Sequence, residues 1–205
     1  TIAKTTFTSN KATQGSAIST NSTIKSLSFT ILDSNFTENS AVKDTANPAS
    51  GGTLAFIVQG SPQIYEVNIS SSNFIENSAD NHGGAILYQG SQSSGSIYIQ
   101  NSALSNNNAQ IGGAFYLLNL TKLTTANNTY TSNTAQSTGK NIIELLKILG
   151  GHIFLSASSV IEENSVYTSG SANFGAAVYL DGGSYSASSA TFNNNVAKNQ
   201  GGAIF

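Results

Sequence analysis

The chain has 205 residues, with 8 basic and 10 acidic side chains, a formal net charge of −2, and no cysteine. Every basic residue is lysine, so no arginine-rich face exists to neutralise phosphates, which excludes a nucleic-acid binder. The lack of cysteine excludes a disulfide framework and a thiolate zinc site, and no apolar run approaches the ~18 residues of a membrane-spanning helix.

The length suffices for one domain with a real core, and residues 1–205 are expected to form a single domain. A start at Thr1 without a leader reads as a piece of a longer chain, or of a stacked assembly. Asparagine and glycine are unusually frequent (24 and 19 residues), yet 39% of residues are hydrophobic. That apolar share falls into a repeating register, which excludes a disordered polar chain.

In chain order, FTSN (Phe7–Asn10) opens the pattern and GSAI from Gly15 follows. An alternating segment around Phe29 and Ile31 then leads into FTEN (Phe36–Asn39) and GGTL from Gly51. The cycle repeats with Val67/Ile69, FIEN (Phe74–Asn77) and GGAI from Gly83, then with Ile97/Ile99, LSNN (Leu104–Asn107) and GGAF from Gly112. Leu123/Thr125 precede YTSN (Tyr130–Asn133). Phe154/Ser156 precede IEEN (Ile161–Asn164) and GAAV from Gly175. Tyr185/Ala187 precede FNNN (Phe192–Asn195) and GGAI from Gly201. Two residues past each Asn sits a small apolar residue: Ala12, Ala41, Ala79, Ala109, Ala135, Val166 or Ala197.

One corner needs a choice. Gly150 spells the glycine phrase as GGHI but lies only 11 residues before Ile161, where the other phrases stand 17 to 23 before the next large apolar residue. Spacing therefore selects Gly139, with Gly150 and Gly151 in a later turn.

Period-two alternation marks half-buried strands, and a period near 30 residues marks a solenoid coil. The expected fold is all-β: a right-handed parallel β-helix of about seven coils of roughly 30 residues, with equivalent residues ~4.8 Å apart. Stacked coils turn the repeated asparagine into a ladder of Asn10, Asn39, Asn77, Asn107, Asn133, Asn164 and Asn195. Glycine at the next corner supplies a positive φ.

FxxN followed by GGA[I/L/V], from Phe7–Asn10 to Gly201–Ile204, resembles the repeats of chlamydial polymorphic outer membrane proteins and similar surface right-handed parallel β-helices. That resemblance implies an extracellular or cell-surface location and an adhesive role.

The same scaffold also carries polysaccharide lyases and hydrolases, which need clustered carboxylates. Glu38, Glu76 and Glu163 share the third position of the FxxN phrase, which reads first as a solvated edge. His82 and His152 each flank a glycine pair in different registers, and no Ser–His–Asp order or phosphate-cradling loop occurs. No catalytic residue, metal ligand or cofactor is assigned.

The fourth residue after each corner glycine should point outward, yet many are apolar, including Leu87, Tyr116, Ile143, Tyr179 and Phe205. Such a stripe is covered by the chain's own loops, by another chain, or by sugar rings stacked on the tyrosines. Sequons stand at Asn21, Asn35, Asn68, Asn119 and Asn127, a number that chance alone produces. Asn35 and Asn68 should face outward and are the best candidates for N-glycosylation.

The functional expectation is a structural or adhesive surface solenoid, capable of assembling into fibres through uncapped ends. Its partners would be other copies of itself, further coils of the same chain, or glycans. The alternative is a polysaccharide-acting enzyme.

Overall fold

The computed structural model describes residues 1–22, 26–42, 51–59, 64–136 and 148–205. They build three parallel sheets whose strands stack in sequence order, the arrangement of a parallel β-helix. The second sheet has seven three-residue strands, from Thr6–Thr8 through Ala103–Ser105 to Thr191–Asn193. The third also has seven, from Lys11–Ala12 to Val196–Gln200. The first sheet has nine and contains the long strands Ile86–Gln100, Phe115–Ala126, Ile153–Glu163 and Val178–Ser188.

In-register parallel pairing places like on like. Phe7, Phe36 and Phe74 stack face to face, with centroids 4.9 and 4.7 Å apart. After Leu104, Tyr130, Tyr167 and Phe192 resume the column at 4.5 and 4.9 Å. Inward residues of the first sheet, such as Val67, Ile97 and Leu123, complete a continuous core.

Each rung turns three corners, and each corner has one residue in the left-handed region. Between the first and second sheets it is Lys4, Asp33, Ser71, Asn101, Asn127, Asn164 or Ser189. Between the second and third it is the residue before the ladder position: Ser9, Glu38, Glu76, Asn106, Ser132, Ser169 or Asn194. Between the third and first it is always glycine: Gly15, Gly52, Gly83, Gly112, Gly150, Gly175 or Gly201. Only this third corner folds back on itself. A Cβ on Gly112 would lie 2.0 Å from the Phe115 carbonyl oxygen, whereas the other two corners accept side chains.

Two expectations are corrected. The corner glycine of the fifth rung is Gly150, with φ +65°, while Gly139 lies outside the described residues. The sixth phrase is YTSG (Tyr167–Gly170), since Tyr130 pairs with Tyr167. IEEN instead ends the long strand Ile153–Glu163 and leads into the first corner at Asn164. These are one error: Tyr167 lies 17 residues after Gly150, as Phe192 lies 17 after Gly175. Ile161 is therefore not the large apolar position of that rung, and the GGHI spelling at Gly150 stands at the normal spacing. The same shift puts Val160/Glu162, rather than Phe154/Ser156, in the inward positions of that rung, and Ala172, rather than Val166, in the small-residue column.

Replacing Gly112 by alanine should lower stability by about 3 kcal/mol, from left-handed strain plus the clash. Gly182→Ala shares the positive φ (+74°) but meets nothing within 4 Å, so it should cost about 1 kcal/mol. Urea midpoints measure both, and equal midpoints would show that the corner can relax.

Candidate functional site

The ladder forms because an asparagine amide is complementary to a copy of itself one rung away. Asn77 Oδ1 accepts from the Asn39 backbone N–H and Nδ2, both at 3.0 Å. Its Nδ2 donates to Phe36 O at 2.9 Å and to Asn107 Oδ1 at 3.0 Å. All four hydrogen-bonding positions are filled, and the side chain is fully buried. Asn10, Asn39, Asn107 and Asn133 carry the same column.

Asn164 does not belong to it, because it is exposed at the first corner with φ +54°. The sixth ladder position is Gly170, which has no side chain to offer. There His152 takes the place of the amide. Its Nδ1 accepts from Asn133 Nδ2 at 2.9 Å, and its Nε2 lies 3.2 Å from Asn195 Oδ1. Asn195 Oδ1 also accepts from the Gly170 N–H at 2.9 Å. A Cβ on Gly170 would lie 2.6 Å from the imidazole and 2.3 Å from Ala176 O, so glycine and histidine require each other. Both contacts hold with the imidazole neutral and its proton on Nε2. Burial pushes the pKa down to about 4.

A second ladder escaped the sequence reading. Two residues before each large apolar position, the Ser34 backbone N–H donates to Ser72 Oγ, Ser72 to Ser102 Oγ, Ser102 to Asn128 Oδ1, and Asn128 to Ser165 Oγ, all at 2.9–3.1 Å. Its signal was present as a recurrent serine at that position.

Below Tyr167 the core turns polar. The inward column that reads Ile31, Ile69, Ile99 and Thr125 continues with Glu162, which is buried. One of its oxygens accepts from Tyr167 Oη, the other from the Ser165 N–H at 3.2 Å. Burial raises its pKa, opposed by those hydrogen bonds. Burial also keeps Tyr130 and Tyr167 neutral well above the ordinary tyrosine range.

Among the described residues the other glutamates of the FxxN phrases do not converge. Glu38 and Glu76 are exposed at the second corner, and Glu163 faces outward on the first sheet, where it pairs with Ala126 and Ser188. Among the described residues no group of three or more His, Asp or Glu could hold a metal ion.

The apolar stripe on the first sheet runs Ser19, Ala55, Leu87, Tyr116, Phe154, Tyr179. Phe154 holds the position assigned to Ile143, which lies outside the described residues. Tyr116, Phe154, Tyr179 and Phe205 stack at 5.0, 5.4 and 5.3 Å. The residue just before the corner glycine packs against two members of the stripe: His82 lies against Tyr116 at 4.3 Å, and Phe174 against Phe205 at 5.4 Å. Leu87 and Phe154 are buried, Tyr116 and Tyr179 half-buried, and Phe205 exposed.

Of the sequon asparagines, Asn35 and Asn127 are exposed, while Asn68 and Asn119 are half-buried. Asn35 Oδ1 accepts from Asn73 Nδ2 at 2.8 Å, and Asn119 Nδ2 donates to Gly90 O at 2.9 Å. Asn21 stands in the strand Ile18–Ser22.

The family model of the Chlamydia polymorphic membrane protein repeat matches residues 71–89 and 189–205. That family is associated with the outer membrane and cell surface. Both matches begin at a first-corner residue, Ser71 or Ser189, pass the ladder position and run beyond the corner glycine. No curated protein and no solved structure matches the chain.

Asn107→Ala should destabilise the protein by about 3 kcal/mol, since it strips partners from the Asn77 N–H, Asn77 Nδ2 and Phe74 O. Asn164→Ala, changing only an exposed corner, should cost about 1 kcal/mol. Denaturant midpoints decide between them.

The His152 pKa is lower in the fold than its ordinary 6.5, so the unfolded chain binds the proton more readily. Its stabilising contribution is complete above pH 6.5 and is lost as pH falls toward 4, by about 3 kcal/mol. Glu162, with a raised pKa, acts in the opposite sense. The difference between parent and His152→Gln, measured by urea unfolding from pH 7 to 4, isolates the histidine. Parallel pH profiles would remove the neutral imidazole from the ladder.

Proposed function

We propose that this chain is a rigid solenoid displayed at a cell surface, with an adhesive role carried by its outer faces. The observation that carries the reading is that the matched repeat twice starts at a first corner and runs past the following corner glycine. The half-buried ring of Tyr179, stacked between Phe154 and Phe205, offers a fixed aromatic contact at little cost in side-chain entropy. The low charge, with 18 ionisable Lys, Asp and Glu side chains in 205 residues, suits contacts that resist changes in salt. Partners of this class are further copies of the chain, further coils of a longer chain, or glycans.

On intact cells making the native protein, a membrane-impermeant amine-reactive label should modify its lysines, and a chain labelled only after lysis would overturn surface display. Beads coated with the protein should be retained on epithelial monolayers, with retention falling several-fold for Tyr179→Ser. Retention no better than that of uncoated beads would end the adhesive reading. Electron micrographs of native material showing filaments with a ~4.8 Å axial repeat would replace adhesion with structural assembly.

A further inference from the structure

The stripe beside the glycine corner is largely buried, but among the described residues on the other half of the first sheet's outer face Leu32, Tyr98 and Gln100 are exposed. There the strands Ser26–Leu32, Ile64–Ser70 and Ile86–Gln100 lie side by side. Two outward columns cross them: Thr30, Asn68 and Tyr98, and Leu32, Ser70 and Gln100. Ser70 is the smallest side chain in its column, flanked by Leu32 on one side and Gln100 on the other. The result is a concavity of about 320 Å³ lined by Leu32, Asn68, Ile69, Ser70, Tyr98 and Gln100. That volume is at the lower end of the ~300–1,000 Å³ range of small-molecule sites.

From this lining we infer that the groove binds a neutral saccharide presented by another molecule. Tyr98 is 38% exposed and Leu32 36%, so a ring face and an aliphatic edge are open to the apolar face of a sugar. Two carboxamides, Asn68 and Gln100, stand at diagonal positions across adjacent strands, and each can donate and accept toward hydroxyl groups. Asn68 Nδ2 donates to Glu66 Oε1 at 3.1 Å, which holds that amide in one orientation. The six lining residues include no Asp, Glu, Lys or His, so the groove complements an uncharged ligand and offers no counter-charge to an acidic one. The platform is built on paired strands, which preorganises it.

This inference goes beyond a surface role and uses neither the ring column nor the ladders. Its failure with surface labelling intact would remove the sugar site alone.

Saturation-transfer NMR on the purified chain, with lactose, maltose, cellobiose and N,N′-diacetylchitobiose as probes, tests it. At least one probe should receive transfer at its ring C–H protons. Affinity should fall about tenfold or more in Tyr98→Ala and be retained in Tyr98→Phe, which keeps the ring. Ser70→Gln, filling the floor from the solvent side, should also abolish transfer. Both positions face outward, and circular dichroism checks that the variants fold. Absence of transfer to every probe, or equal transfer with the Tyr98→Ala and Ser70→Gln proteins, would overturn the site. So would a native chain whose intact mass falls on glycosidase treatment with the sugar located on Asn68, since that glycan would itself fill the groove.

Discussion

Parallel stacking in register imposes one constraint on the whole molecule: whatever stands at a position must be compatible with its equivalents above and below. Most polar side chains fail this when buried, because donors face donors or a lone pair is left without a partner. Asparagine meets it, since its amide accepts on one side and donates on the other while also capping backbone at the bend. Asn77, with all four positions filled, shows why the ladder tolerates complete burial. Once the ladder fixes axial register, the ring column, the small-residue column of the third sheet and the serine ladder follow without further instruction.

The sixth rung shows what happens when the constraint is broken. Gly170 removes a side chain, and the ladder would end with Asn133 and Asn195 facing an empty place. An imidazole from the preceding corner fills it. A neutral histidine works because its two nitrogens have opposite hydrogen-bonding character, as the two ends of an amide do. The same rung carries Glu162, whose burial would cost several kcal/mol if the group were left unpartnered. Hydrogen bonds from Tyr167 and Ser165 offset part of that cost. Histidine and glutamate therefore respond to acid in opposite directions within one layer of the core.

The outer surface divides along the long strands of the first sheet. Near the glycine corner the chain folds back so tightly that the residue before the glycine can pack on the apolar stripe, as His82 does on Tyr116. Farther along, among the described residues, a short serine between longer neighbours leaves a concavity beside Tyr98. Which outward residues stay exposed is thus set by corner geometry as much as by side-chain hydropathy.

The repeated phrases determined the parallel β-helical architecture, the inward columns and six ladder asparagines, because in a solenoid the same local sentence must recur on every rung. The second ladder left only a partial trace, Ser34, Ser72, Ser102 and Ser165 but Asn128 and Ala190 at the equivalent places. The register of the sixth rung was not legible, since IEEN satisfies the local pattern while YTSG, six residues on, breaks it at Gly170. Only pairing with the rungs on either side distinguishes them: Tyr167 stacks between Tyr130 and Phe192, and Asn164 moves to the corner. The role of His152 was hidden for the same reason. It stands far from the other ladder residues of its rung in sequence, and three-dimensional closure alone brings it to the place where an amide is missing.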